Sequence, residues 1–230
     1  MSDLMKVGSD WGGAGTFKPF TSSISGAQRV SDAHGRFMDA ALSGRLYTGG
    51  MVGTSISNAT FTTATTGITA TPIIGLWNPT TSTANLIVLQ AYLDVYMTAL
   101  QATGVGGMAW MGCVGNSAIT TGSNPINART LVATGSQAKF FAGTALTGMT
   151  GTLAIIRGSG LSGGSAVTAA FLATQAGAQT QLPSGSIEVI DGSLIVPPGG
   201  VIGLFAAATG VGHSATSGII WEETPLLITV

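Results

Sequence analysis

The chain has 230 residues, enough for one medium domain with an appendage and a genuine core. Only 7% of it is charged, against roughly 25% in ordinary soluble proteins. A net charge of −1 and a pI near 6.0 give no support to a nucleic-acid partner, which would need a basic face.

Gly, Ala, Ser and Thr supply about half of the residues, also far from average usage. Mean hydropathy is +0.47, but the longest apolar stretch, Ala84 to Leu100, holds Asn85, Gln90 and Asp94. A spanning helix needs about 20 mostly apolar residues, so no membrane partner is expected. Met1 to Asp10 carries no apolar h-region. The single cysteine, Cys113, excludes an intrachain disulfide and suits a reducing cytoplasm. Mixed surface charge normally keeps a monomer dispersed. This chain largely lacks it, so the surface is expected to be rich in Ser, Thr and Gly, covered by partners, or both. Obligate oligomerisation follows as an expectation.

Nine of the charged residues fall in the first 45 positions, from Asp3 to Arg45. The shift in composition predicts an N-terminal arm over 1–45 and a body over 46–230. Val7 to Gly26 is rich in Gly and Ser and cannot build its own core. Trp11, Phe17 and Phe20 are spaced along it, and disordered tails are poor in such residues. A segment that orders against a neighbouring subunit fits better. One short helix is expected from Asp32 to Leu42, with Ser31 as N-cap and Gly44 as terminator.

From Leu46 onward the signals are β. Ile87, Leu89, Ala91, Leu93, Val95 and Met97 alternate with Val88, Gln90, Tyr92, Asp94, Tyr96 and Thr98; the first set is expected to face a core, with a buried helix over the same stretch as the alternative. Further strands are expected at Ile73 to Trp77, Met108 to Val114, Leu153 to Arg157, Val201 to Ala208 and Gly218 to Glu223, most of them separated by turn residues. Asp191-Gly192, between Ile187–Ile190 and Leu194–Val196, suits a tight hairpin. Pro197-Pro198-Gly199-Gly200 forces another turn. About eight to ten short strands in one domain predict an all-β jelly-roll β-sandwich.

Two enzyme motifs share one loop. Gly158 to Gly163 matches GxGxxG, and Ser165 to Ala178 is compatible with the helix that such a fingerprint requires. Gly160 to Gly164 matches GxSxG, with Asp191 and His213 following Ser162 in hydrolase order. At 35 Gly in 230 residues, chance alone gives on the order of 0.8 and about 0.5 matches respectively. The β-rich surroundings lack the alternating strands and helices of a nucleotide-binding unit. No catalytic residue, cofactor or small-molecule substrate is therefore expected, although a hydrolase using Ser162, Asp191 and His213 stays as a third reading.

His34 and His213 have no Cys, Asp or Glu at a metal-ligating spacing, so no metal site is expected. Glu222 and Glu223 are adjacent on a strand and point to opposite faces. Cys113 reads as a small buried hydrophobe. Trp110 and Trp221 read as core, whereas Trp77, beside Asn78-Pro79, is the best exposed-aromatic candidate for a sugar.

Residues 29–50, with SGRLYTGG (Ser43 to Gly50), feed into a Thr-rich β region. Together with VPPGGVIGLFA (Val196 to Ala206) and GIIWEETP (Gly218 to Pro225), this resembles the jelly-roll decoration, or cement, proteins of tailed-bacteriophage capsids. The resemblance implies a sandwich body, an arm on the capsid and no active site. It implies a homotrimer on the virion surface, made in the host cytoplasm, with the major capsid protein as partner. Trp11, Phe17, Phe20, Arg29, Arg36 and Arg45 are then expected at the shell contact. The second reading is a phage receptor-binding or carbohydrate-binding jelly-roll module.

Overall fold

The computed structural model describes residues 21–22, 28–29, 37–55, 71–97, 105–116, 118–133, 135–161, 185–208 and 213–226. The chain divides into two units, Met1–Asp39 and Ala40–Val230. In the first, β1 (Thr21–Ser22) and β2 (Gln28–Arg29) pair antiparallel.

Helix α1 covers Met38–Leu42; the earlier part of the expected helix, with Ser31, lies outside the described residues. Its end is chemically explicit. Gly44 has φ +73°, Arg45 N–H bonds the Ala40 carbonyl and Gly44 N–H bonds the Ala41 carbonyl. This is the left-handed glycine cap that spends the last carbonyls of a helix.

Among the described residues ten strands follow: β3 (Leu46–Ser55), β4 (Ile74–Trp77), β5 (Ala84–Met97), β6 (Val105–Cys113), β7 (Ile126–Asn127), β8 (Lys139–Phe141), β9 (Ala154–Gly158), β10 (Ser186–Val196), β11 (Val201–Ala208) and β12 (His213–Pro225). Four antiparallel pairs, β3 with β12, β4 with β11, β5 with β10 and β6 with β9, amount to one long hairpin. Rolling it up adds the pairs β12 with β5 and β11 with β6. The result is two five-stranded sheets, β10-β5-β12-β3-β7 and β8-β4-β11-β6-β9. This is the strand order of a jelly roll, and the expected fold class is observed.

Side-chain periodicity explains the packing. One cluster between the sheets joins Leu86, Val88, Leu93, Ile219 and Trp221 of the first sheet to Ile74, Leu76, Trp110, Ile202 and Leu204 of the second. The second sheet is apolar on both faces, as continuous runs such as Ile74–Trp77 and Val201–Ala206 require. Its outer face carries Trp77, Met111, Val201 and Phe205, which pack on Ile119, Phe141, Leu146, Met149 and Leu153. The connection from β6 to β9 thus roofs its own sheet.

Two expectations are corrected. Asp191 and Gly192 do have left-handed φ of 56° and 77°, but they do not make a hairpin. Both halves of β10 pair with β5, and the dipeptide is a bulge between Val189 and Leu194. On β5, Ala91, Leu93 and Val95 face the core as expected, but Ile87 does not. Ile220 pairs with Gln90 and Trp221 with Val88, so Leu89 is an extra residue that flips the parity. Leu86 and Val88 point inward instead.

The Pro197–Gly200 turn forms as expected. Pro198 and Gly199 are its central residues, Gly199 has φ +75° and Gly200 N–H bonds the Pro197 carbonyl at 2.8 Å. A positive φ at the third position is what demands glycine there.

Leu204 is fully buried between the sheets, whereas Val114 is 64% exposed. Leu204→Ala is expected to lower unfolding free energy by about 2–5 kcal/mol. Val114→Ala should stay within about 0.5 kcal/mol. Urea denaturation of the two variants checks the assignment of the core.

Candidate functional site

Among the described residues of the body, three groups of polar side chains stand at strand ends. The first closes the edge where β9 and β10 face each other. Inward positions on β10 alternate, so Glu188 shares its face with Ile190, Leu194 and Val196 and is only 7% exposed. A carboxylate so placed must be fully hydrogen-bonded. Trp110 Nε1, on β6, donates to Oε2 at 3.0 Å, and Ser159 Oγ donates to the same oxygen at 2.7 Å. Arg157 of β9 pairs with Oε1 and also donates to Ser193 Oγ at 3.0 Å. Leu161 N–H donates to Ser159 Oγ at 3.0 Å.

Burial pushes the Glu188 carboxyl up. Hydrogen bonds from Trp110, Ser159 and Arg157, with the guanidinium charge, outweigh it and hold the group below its ordinary value. The carboxylate is therefore a weak base, and both its oxygens are occupied. Ser159 gives its proton to that weak base while its oxygen accepts from Leu161. The arrangement fastens β6, β9 and β10 together across the two sheets.

The second group pins the loops at one end of the sandwich. Asn78 Nδ2 donates to the carbonyls of Ala84 and Val196 at 2.8 and 3.0 Å. Asn116 Oδ1 accepts from the amides of Thr150 and Gly151 at 3.0 and 2.9 Å, and its Nδ2 donates to Cys113 Sγ. Burial raises the Cys113 thiol pKa, so the half-buried thiol stays protonated and unreactive at neutral pH.

The third group lies along β12. Arg45 pairs with Glu222 at 2.8 Å, and Ser136 Oγ donates to Glu223. The two carboxylates have separate partners, as their opposite faces require. Tyr47 stacks on Trp221, ring centroids 6.2 Å apart.

The sequence motifs disperse over this frame. Gly158 ends β9, Ser159 serves Glu188 and Leu161 is buried in the core; Ser162, Gly163, Gly164 and the segment Ser165 to Ala178 lie outside the described residues. Asp191 sits at the bulge opposite Leu89, while His213 pairs with Met97. The two are separated by eight residues of β5, or about 26 Å of strand, so the backbone does not bring them together. Trp110 and Trp221 are core, both fully buried. Trp77 corrects its expectation: it is 8% exposed, and its Nε1 bonds the Asn116 carbonyl at 3.3 Å beneath the β6–β9 connection.

Of the residues expected at a shell contact, Trp11, Phe17, Phe20 and Arg36 lie outside the described residues. Arg29 belongs to β2, and its side chain also lies outside them. Arg45 belongs to the body and is engaged by Glu222. Among the described residues no cluster of His, Cys, Asp or Glu forms a metal site, and no helix is long and apolar enough to cross a membrane. Comparison with known proteins gives no significant match to a family model, a curated protein or a solved structure.

The Glu188 cluster was legible in part. A lone charge at an inward position of an alternating strand asks for a buried partner. The identity of that partner depends on which strand rolls opposite.

Glu188→Ala should cost about 1–3 kcal/mol for each buried donor it strands, of which Trp110 is the clearest. Arg157 adds less, because its side chain is about one-third exposed and screened by solvent. The folded-state carboxyl has a lowered pKa, so its stabilisation is present above the unfolded glutamate value of about 4.3. It is lost as pH falls through the lowered folded value. Urea midpoints measured from pH 7 down to pH 3 should fall more steeply in the wild type than in Glu188→Gln.

Proposed function

We propose that this chain is a non-enzymatic structural protein of a bacteriophage particle, a decoration protein that binds the assembled capsid as a homotrimer and stabilises it. The observation that carries the reading is the body itself. It is a jelly roll with few charges, and the outward face of β10 is exposed and apolar at Ile187, Val189 and Ile195. Such a surface is suited to burial against protein, because little charge has to be desolvated. The resemblance of Ser43–Gly50, Val196–Ala206 and Gly218–Pro225 to capsid cement proteins supplies the kind of particle.

Stabilisation then follows from linkage. A ligand that binds the assembled lattice and not its separated parts shifts the equilibrium toward the lattice, by about 2.7 kcal/mol at a free concentration of 100 Kd. The arm residues Trp11, Phe17, Phe20, Arg29 and Arg36 are assigned to the capsid contact. Arg45, engaged by Glu222 in the body, is assigned a structural role at the start of β3.

Removal of Met1 to Gly26 should abolish binding to purified shells and leave the β spectrum of the body intact. Electron micrographs of shells with and without full-length chain should show added density on the outer surface, together with a raised temperature of shell disruption. Normal decoration by the truncated chain would remove the arm assignment. Absence of any density from full-length chain would remove the decoration reading.

A further inference from the structure

The connection between β7 and β8 is held differently at its two ends. At the β7 end Asn127 is buried and fixes it several times over. Its Oδ1 accepts from the amides of Arg129 and Thr130 at 2.9 and 3.2 Å, and its Nδ2 donates to the Gly44 carbonyl at 2.7 Å. Its main chain bonds the Leu131 amide and the Val132 carbonyl. Leu131 is exposed and has a left-handed φ of 59°. A bulky side chain is strained in that region and stays there only where surrounding bonds impose it. At the β8 end Ser136 reaches across to β12. Its Oγ donates to Glu223 and accepts from the Ala138 amide at 3.0 Å. Beside it Gly135 lies over Tyr47: a Cβ there would stand 3.1 Å from the Tyr47 hydroxyl.

Glu223 is an anchor with a burial cost. It follows Trp221 on the inward face of β12, opposite the uncharged Leu86 of β5, and is half-buried. On β3, Tyr47 faces it, and the Arg45 carbonyl accepts its N–H at 2.9 Å while the Arg45 guanidinium pairs with Glu222. Arg129 stands at the Asn127 end of the connection, and Lys139 of β8 bonds Asn124. The side chains that favour its ionised form are the neutral Ser136 and Trp221. Trp221 Nε1 makes no closed hydrogen bond, and its N–H helps the carboxylate less than Ser136 does. Burial outweighs both and pushes the carboxyl above its ordinary value. Glu188, which has Arg157 as well as neutral donors, is shifted the other way.

We propose that the β7–β8 connection is a strap over Tyr47 that Glu223 latches according to its protonation, closed on the neutral carboxyl and loosened when the carboxyl is ionised. Opening lets water reach the charge and relaxes the backbone at Leu131, so both effects favour release of the same segment. The closed form binds the proton more tightly than the open form. The latch is therefore fully set below the ordinary glutamate value of about 4.3, and it is lost as pH rises through the raised closed-state value. This device stands apart from the capsid reading and does not depend on it.

Hydrogen exchange of the full-length chain, each amide compared with its unstructured rate at the same pH, reads the strap directly. Between about pH 4 and about pH 8, a span that contains the ordinary glutamate value, the Ala138 amide of the wild type should lose protection. The amides of β11 should stay better protected than Ala138 throughout, which marks the opening as local. Glu223→Gln stays neutral at every pH and can still accept from Ser136, so Ala138 should keep its protection across the range. Ser136→Ala unties the strap and should leave Ala138 poorly protected with no pH dependence; it decides the matter if the glutamine variant fails to fold. A flat profile in the wild type would overturn the proposal, as would a wild-type loss that persists in either variant.

Discussion

Burial of β4, β11 and β6 on both faces is the constraint from which the rest of the body follows. Ile74–Trp77, Val201–Ala206 and Met108–Gly112 are buried without interruption. A sheet that is apolar on both sides cannot leave either to water. The partner sheet covers one side. The other must be covered by whatever chain is at hand, and the β6–β9 connection does so with Ile119, Leu146, Met149 and Leu153. Backbone groups in that cover need partners in turn, which is the role of Asn116, itself fully buried. The second core and the asparagine network are consequences of one doubly buried sheet.

The scarcity of charge acquires a meaning in this frame. Arg157 with Glu188 ties β9 to β10, Arg45 with Glu222 joins the start of β3 to β12, and Glu223 takes a hydrogen bond from Ser136. A buried pair of this kind adds little net stability compared with well-packed apolar residues, but losing one partner is costly. Apart from Glu222, which Arg45 offsets, the described acidic residues on the outer face of the β10 sheet are the dispersed Asp94 and Asp191. Close contact with other protein surfaces then carries a small desolvation cost.

Tyr92 shows how the same face is kept in order. A side chain at Gly218 would come within 2.1 Å of the Tyr92 ring, and one at Gly50 within 2.7 Å of its hydroxyl. The ring lies across two neighbouring strands where glycine leaves the sheet bare, an aromatic covering that holds register in place of the missing side chains.

Much of this was legible in the sequence, because the signals are local. β11 runs over Val201–Ala208 as read, β4 begins one residue late, the Pro198-Gly199 turn forms, and Gly44 ends its helix. Each depends on hydrophobic period or on residues adjacent in the chain. The failures share the opposite property. Asp191-Gly192 has hairpin chemistry, yet β5 runs past both of its sides and turns it into a bulge. Leu89 breaks the alternation of β5 only because β12 pairs around it. Trp77 is covered by a loop that starts nearly forty residues later. Glu188 finds Trp110 and Arg157 because β6 and β9 roll opposite β10. Period and turn chemistry therefore determined that this chain is a jelly roll of β-strands. Rolling the long hairpin decided which faces were covered, where register slipped and which charges met, since those contacts join residues that only the closed sandwich brings side by side.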